Sequence, residues 1–340
     1  DPGNFSWYHK KVLKLTWSGV DLFFVLSGFL IAGILLDHHR SGNYFRIFYL
    51  RRVCRIFPLY FLLLALFLIS IKSGIFAGPQ FEWLFEDPFP IWSYVVFTQN
   101  IFMGLRGDFG PHWLGITWSL AVEEQFYLLV PVLIYYLPRR VLFLVLVVAV
   151  LSAPILRCAT PGFHTMVNTP WRSDSLLSGA CLALLVRWRP FMSAVRADPM
   201  IIRTIFAVFL SGAAIMILNS QPFGAFNYFW LAGLYASLIL IAFLGSEPLL
   251  TRVLQLPVLV WFGQYSYGIY MLHQAVNGLV HGVILQRAPQ IATAGDAGVT
   301  LLSLCLTLAL AWLSFRFIEG PILKYGHRFQ YTPSATIRSG

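Results

Sequence analysis

Charge is what this chain has least of. Only 11% of its 340 residues are Asp, Glu, Lys or Arg, where soluble domains carry about a quarter, so a water-soluble globule is excluded. Cysteine is also scarce. Cys54, Cys158, Cys181 and Cys305 form no close pair and no metal-ligand spacing, which argues against a disulfide framework and a cysteine metal site. All four lie in or beside apolar segments, so packing is their plain reading. No H-E-x-x-H, G-x-S-x-G elbow or glycine-rich phosphate loop occurs, and no metal is expected. Repeats, low-complexity tracts and a soluble domain are likewise missing. The chain opens on Asp1 rather than Met, without the basic start and small-residue cleavage site of a signal peptide; a truncated start is the expectation.

What the chain has is apolar length. Hydrophobic residues make up 58%, aromatic residues 16%, and the net charge is +10; the mean hydropathy is +0.71. About 20 apolar residues cross a hydrocarbon core. The sequence predicts an all-α, polytopic bundle of nine to ten transmembrane helices, with spans at 19–36, 56–73, 113–137, 141–157, 174–188, 201–218, 228–245, 258–281 and 298–318. The apolar segment 91–105 is short and interrupted by Gln99 and Asn100. If it does not cross, Arg40, Arg46, Arg51, Arg52, Arg55, Arg139, Arg140, Arg187, Arg189, Arg196 and Arg252 collect on one side, with the C-terminus. That distribution favours nine crossings, a cytoplasmic C-terminus and a largely external, partly re-entrant 75–112 connection. Lys10, Lys11 and Lys14 fit this scheme poorly. Residues 1–325 read as one transmembrane domain and 326–340 as a cytoplasmic tail; from Lys324 onward the chain is polar, and disorder is expected. Basic residues that flank apolar runs point to membrane lipids as the surroundings and away from nucleic acid.

Several polar groups are written into this apolar background. The run Gly19-Val20-Asp21-Leu22-Phe23-Phe24-Val25-Leu26-Ser27-Gly28-Phe29 places Asp21 in a span, where a carboxylate costs several kcal/mol unless it faces a bundle interior or a wet cavity. In Arg51-Arg52-Val53-Cys54-Arg55-Ile56-Phe57-Pro58, Arg52 and Arg55 share a helix face. The cluster reads either as a topology anchor, above all at Arg51, or as a clamp for the phosphates of a nucleotide-like donor. Pro58 is expected early in its helix, where a missing N–H is tolerated. Trp118 to Leu128 carries adjacent Glu123 and Glu124, and at least one must point inward. Such a carboxylate serves as a general acid or base or as glue to an arginine.

In Trp171-Arg172-Ser173-Asp174, the two charges do not face each other on a helix. They pair with Glu123 or Asp21 from other helices, or touch the hydroxyls of an acceptor. Gly263 to His273 builds a hydroxyl-rich face containing Ser266, Tyr267 and Tyr270. His273 ends it, either as a proton shuttle or as a hydrogen-bonded packing residue.

These motifs, GVDLFFVLSGFLI, FYLRRVCRIFPLY, TWSLAVEEQFYLLVP, WRSDSLLSGACLA, GQYSYGIYMLH and FIEGPI, together resemble the integral-membrane acyltransferase family 3, the bacterial O-acetyltransferase type that modifies surface glycans. The resemblance spans nearly the whole chain. It implies a multi-pass protein of the bacterial cytoplasmic membrane that transfers an acyl group, typically acetyl from acetyl-CoA as co-substrate, to a hydroxyl of a glycan or glycolipid acceptor. It also implies coenzyme phosphates on Arg52 and Arg55, joined by Arg51, and Glu123 behind the catalytic histidine. Asp21, Arg172, Asp174 and Tyr267 are the candidate acceptor-side residues.

The family's first helix, with an Arg or Lys and a His eleven residues later, should precede GVDLFF. Here only His9 is available ahead of that motif. The expectation is a chain lacking that helix, with His9 or His273 left as base candidates. A transporter or flippase would also want intramembrane charges, but would show matching interrupted halves. A non-catalytic homologue is the third reading.

Overall fold

The computed structural model describes residues 17–219 and 223–332. His9, Lys10, Lys11 and Lys14 lie outside the described residues. Among those described there is no strand, and nine helices have 17 residues or more. They are α1 Gly19–His38, α2 Tyr44–Ser73, α3 Thr117–Tyr136, α4 Arg139–Ala159, α5 Thr169–Leu185, α6 Met200–Leu218, α7 Asn227–Leu244, α8 Pro257–Leu285 and α9 Ala294–Ser314. Each matches one predicted span. After α9 the chain passes through a π turn, Phe315–Glu319, into a last helix, Gly320–His327.

Six of these segments are long and apolar enough to cross a membrane: those built on α1, α2, α4, α6, α7 and α9. The other three, α3, α5 and α8, carry the polar motifs of the sequence. Leu128, Leu129, Leu144, Ile155 and Leu301 are among many exposed large apolar side chains. In water such a surface would drive association; facing lipid it is at rest. The chain is a multi-pass membrane protein.

Segment 91–105 does not cross. It forms Ile91–Val95 and Gln99–Arg106, separated by Phe97 at φ 56°. Eight helical residues reach only about 12 Å. Gln99 and Asn100, which interrupt the apolar run, are fully buried; the Gln99 amide donates to the Thr117 carbonyl at 3.0 Å. Tyr60 donates to the Tyr94 carbonyl at 2.7 Å, and Trp113 to that of Leu63 at 3.2 Å. These bonds tie the connection to α2.

Two expectations are corrected. Helix α2 begins at Tyr44, not near Ile56, because arginine is a good helix former whose long stem carries its charge toward water. Pro58 therefore sits in the interior of a 30-residue helix, not in its first turn, and Cys54 loses the N–H that would bond its carbonyl. The polar stretch after Lys324 is also ordered as far as Thr332. Arg51 donates to the Phe329 carbonyl at 2.7 Å. The Asn43 amide gives to the Gln330 carbonyl and receives from the Thr332 N–H, both at 3.0 Å. Capture of these backbone groups offsets the ordering cost.

The described chain falls into two compact units. The first comprises the described residues from 17–39 and 122–253, and the second those from 40–121 and 254–332. In the first, α1 and α5 approach so closely that a Cβ built on Gly28 would lie 1.9 Å from the Leu176 carbonyl oxygen. One built on Gly179 would lie 2.0 Å from that of Val25. Only glycine fits at both places, as at small-residue crossings between membrane helices. Gly28→Ala should therefore force the helices apart and cost about 1–3 kcal/mol, read as a lower unfolding temperature in detergent. Gly19→Ala, with open space around its new methyl, should leave that temperature nearly unchanged.

Candidate active site

Asp21 stands two helical turns before Gly28, and Arg172 two turns before Gly179, so the glycine contact brings both charges to one level. In the first unit the Arg172 guanidinium donates to Asp21 Oδ1 at 2.7 Å, and the Ser175 hydroxyl donates to the same oxygen at 2.8 Å. Asp21 and Arg172 are 0% and 1% exposed. Asp21 Oδ2 has no hydrogen-bond partner among the described residues, which leaves a buried acceptor open beside a guanidinium.

Asp174 takes a different cation. Arg157 of α4 donates to Asp174 Oδ2 at 2.5 Å, and also holds the carbonyls of Ala225 and Trp171. The Tyr228 ring of α7 lies 3.8 Å from the Arg172 guanidinium carbon and 5.2 Å from that of Arg157, a cation–π arrangement strengthened by desolvation. The network therefore draws on α1, α4, α5 and α7. Arg157, the last residue of the predicted span 141–157, was not among the candidate site residues. The signal was available: Asp174 cannot reach Arg172 on its own helix, so a second buried carboxylate called for a second buried cation.

Glu123 of α3 is also buried, at 2% exposure, while Glu124 is half-buried. The hydroxyl of Tyr127, one turn on, donates to Glu123 Oε1 at 3.1 Å. Ser27 of α1 lies 2.9 Å from that same hydroxyl. Because the Tyr127 proton points at the carboxylate, Ser27 donates to the phenol oxygen. The result is a directed path, Ser27 to Tyr127 to Glu123, along which a proton can move. Neither hydroxyl was singled out from sequence.

The arginine cluster sits in the second unit. Arg51 is committed to the Phe329 carbonyl, and its guanidinium carbon lies 5.3 Å from the centre of the Tyr331 ring; it serves as an anchor for the chain end. Burial pushes the Tyr331 phenol above its usual pKa, against the pull of Arg51 and Arg52. Arg52 and Arg55 are half-buried on one face of α2. Arg55 lies over the Tyr267 ring at 5.6 Å and interacts electrostatically with Glu319.

Tyr267 donates its own proton to the Ile56 carbonyl at 2.7 Å, so its hydroxyl ties α8 to α2. Glu319, 1% exposed, closes the π turn and accepts from Ser314 at 3.0 Å. Single π turns recur at functional sites. The sequence pattern contained Glu319 in FIEGPI but assigned it no task.

His273 is exposed on α8, with ring Nδ1 2.6 Å from the Tyr270 carbonyl. A carbonyl only accepts, so Nδ1 carries the proton in the neutral ring and Nε2 keeps its lone pair. That is the tautomer a base requires.

Breaking the Asp21–Arg172 pair from one side strands a buried charge. Arg172→Met should cost about 3–5 kcal/mol in thermal unfolding in detergent. The Asp21→Leu, Arg172→Met double substitution should recover much of that loss, a difference that a double-mutant cycle reads directly.

Comparison with known proteins fits these elements. A family model described as an acyltransferase domain, that of acyltransferase family 3, matches residues 13–316. The peptidoglycan O-acetyltransferase OatA of Listeria monocytogenes is 33% identical over 348 residues, covering 95% of this chain and 53% of that protein. The O-acetyltransferase OatA of Staphylococcus aureus is 28% identical over 353 residues, covering 96% and 56%. The chain thus spans about half the length of the curated relatives it matches. No solved structure matches it. With the family model running from before α1 to the π turn after α9, the chain belongs to acyltransferase family 3.

Proposed function

We propose that this chain is the membrane-embedded part of an O-acyltransferase that moves an acetyl group from acetyl-CoA to a hydroxyl of a cell-envelope glycan. The observation that carries the reading is Glu123, a buried carboxylate inside a membrane helix, joined through Tyr127 to Ser27. Family membership gives the reaction class, and the relatives' names point to the glycan.

In this reading the donor enters from the cytoplasmic side, where the arginines collect. Arg52 and Arg55 hold its phosphates; a pair of guanidiniums on one face suits phosphate oxygens. Arg51, spent on the chain end, contributes long-range charge only. A base removes the proton of the acceptor hydroxyl, and the alkoxide attacks the thioester carbonyl. The C–S bond then breaks, and the coenzyme thiolate leaves and takes up a proton. His273, like His38 and His39, keeps its lone pair at Nε2, and it is the one of these that the resemblance places in a motif; Glu123 is the carboxylate offered for relaying the proton. His9, the other base candidate, lies outside the described residues. Asp21 Oδ2, beside Arg172, is an acceptor for a hydroxyl of the incoming glycan. Asp174 and Tyr267 support the site by holding Arg157 and α2.

Transfer of radiolabelled acetyl to membrane glycans tests the assignment. Arg55→Ala should raise KM for the donor roughly tenfold, the loss of one charge-assisted contact. Glu123→Gln keeps the shape but loses the charge, and should lower kcat at least about a hundredfold. Normal transfer by both variants would sink the reading.

A further inference from the structure

The second unit contains a cavity of about 330 Å³ away from the arginine cluster, lined by Trp83, His112, Gln274, Asn277, Ala288 and Pro289. Trp83 and His112 come from the connection between α2 and α3, Gln274 and Asn277 from one face of α8, and Ala288 and Pro289 from the turn that follows it. With the arginines cytoplasmic, this end of α8 and the 74–116 connection lie outside.

The lining has a definite chemistry. Its indole is held in place: Trp83 Nε1 donates to the Gln80 carbonyl at 3.0 Å. The ring also lies where a Cβ on Gly278 would meet it at 2.9 Å, so a glycine lets it rest against α8. The His112 ring meets the indole edge-on at 5.0 Å. Crowding by protein keeps the His112 pKa below its usual value, so near neutral pH the ring is uncharged and can both give and accept a hydrogen bond. Gln274 Oε1 and Asn277 Oδ1 are buried acceptors with no hydrogen-bond partner among the described residues. Such orphans cost free energy unless a donor arrives.

Among the described residues no Lys, Arg, Asp or Glu lines the cavity, so an anion such as phosphate finds no counter-charge there. A lipid tail would leave the two amides unpaired. What matches is an uncharged ring with a C–H face for the indole and several hydroxyl donors for the amides, in a volume at the lower end for small-molecule pockets.

From this cavity we infer a saccharide-binding subsite that takes one pyranose unit of an extracytoplasmic glycan. It deepens the acyltransferase reading, and rests on that reading only for the purpose of the sugar; binding is measurable without any transfer. The placement supports the link, since Asn277 follows His273 by one turn of α8 and projects on the same side of the helix.

The test is saturation-transfer NMR on the full chain in nanodiscs, with chitotriose and maltotriose as saccharide probes and trialanine as the peptide control. Saccharide binding should appear at millimolar concentration and weaken roughly tenfold in Trp83→Ala and severalfold in Asn277→Ala. Trp83→Phe, which keeps an aromatic face, should retain most of it and so separates lost stacking from misfolding. No saccharide signal, a signal indifferent to Trp83→Ala and Asn277→Ala, or a preference for trialanine overturns the subsite. Transfer assays keep the two ideas apart. Saccharide binding that responds to the variants, without acetyl transfer, upholds the subsite and removes the acyltransferase reading. Transfer whose acceptor KM ignores both variants removes the subsite alone.

Discussion

The first unit depends on how near α1 and α5 can come. Backbone-to-backbone contact at Gly28 and Gly179 lets a short aspartate on one helix reach a guanidinium on the next. The two helices are parallel and stay in register. Asp21 pairs with Arg172 across 151 residues of sequence, and Asp37 pairs with Arg187 across 150. One pair is buried and the other partly exposed, with Asp37 at 55% side-chain exposure. The exposed pair adds little stability; the buried pair has no solvent to fall back on. It fixes the rotation of both helices, because any slip would strand a charge in a dry interior.

The division of labour among helices follows from the same cost. The apolar helices face hydrocarbon with side chains that need nothing from it. Polar motifs concentrate on α3, α5 and α8, while α1 and α4 each add a buried charge, and these buried groups are matched within the protein. Asp21 has Arg172, Asp174 has Arg157, and Glu123 has Tyr127. Such pairing is a general demand on membrane interiors and does not by itself make a catalyst. What exceeds that demand is the open oxygen of Asp21 and the directed donation from Ser27 through Tyr127 to Glu123. A packing role would have closed the first and had no need of the second.

Much of this was legible in the sequence because hydropathy at span length is a strong signal. All nine long helices match predicted spans, and the 91–105 segment forms two short helices that do not cross, as the interruption by Gln99 and Asn100 suggested. Errors came where a local rule met tertiary context. The arginines at 51, 52 and 55 read as lying ahead of the span 56–73, yet α2 starts at Tyr44 and runs through them, with Pro58 in its interior. Lys324 to Thr332 read as a loose tail, but composition does not show that Asn43 and Arg51, nearly three hundred residues earlier, present donors and an acceptor to its backbone. The Asp21–Arg172 pair was among the options that sequence allowed. Arg157 was passed over because charge at a span end is ambiguous between water and a neighbouring helix.

That ambiguity has a physical resolution, and it bears on how such proteins are read. A residue at the end of a span can turn its charge outward at almost no cost, so hydropathy alone cannot assign it. Counting partners can. Each carboxylate held inside a bundle requires a cation or a set of donors within reach, and helical spacing rules out neighbours one or two positions away. Asp174 excludes Arg172 on those grounds, while Asp21 claims it; the remaining cation must come from another helix near the same membrane level. Arg157 and Arg172 are the cations at that level on α4 and α5, so the assignment closes once the two acids are known to be buried. Charge neutrality in a dry interior thus carries tertiary information that periodicity does not, and it joins α1, α4 and α5 through their buried pairs.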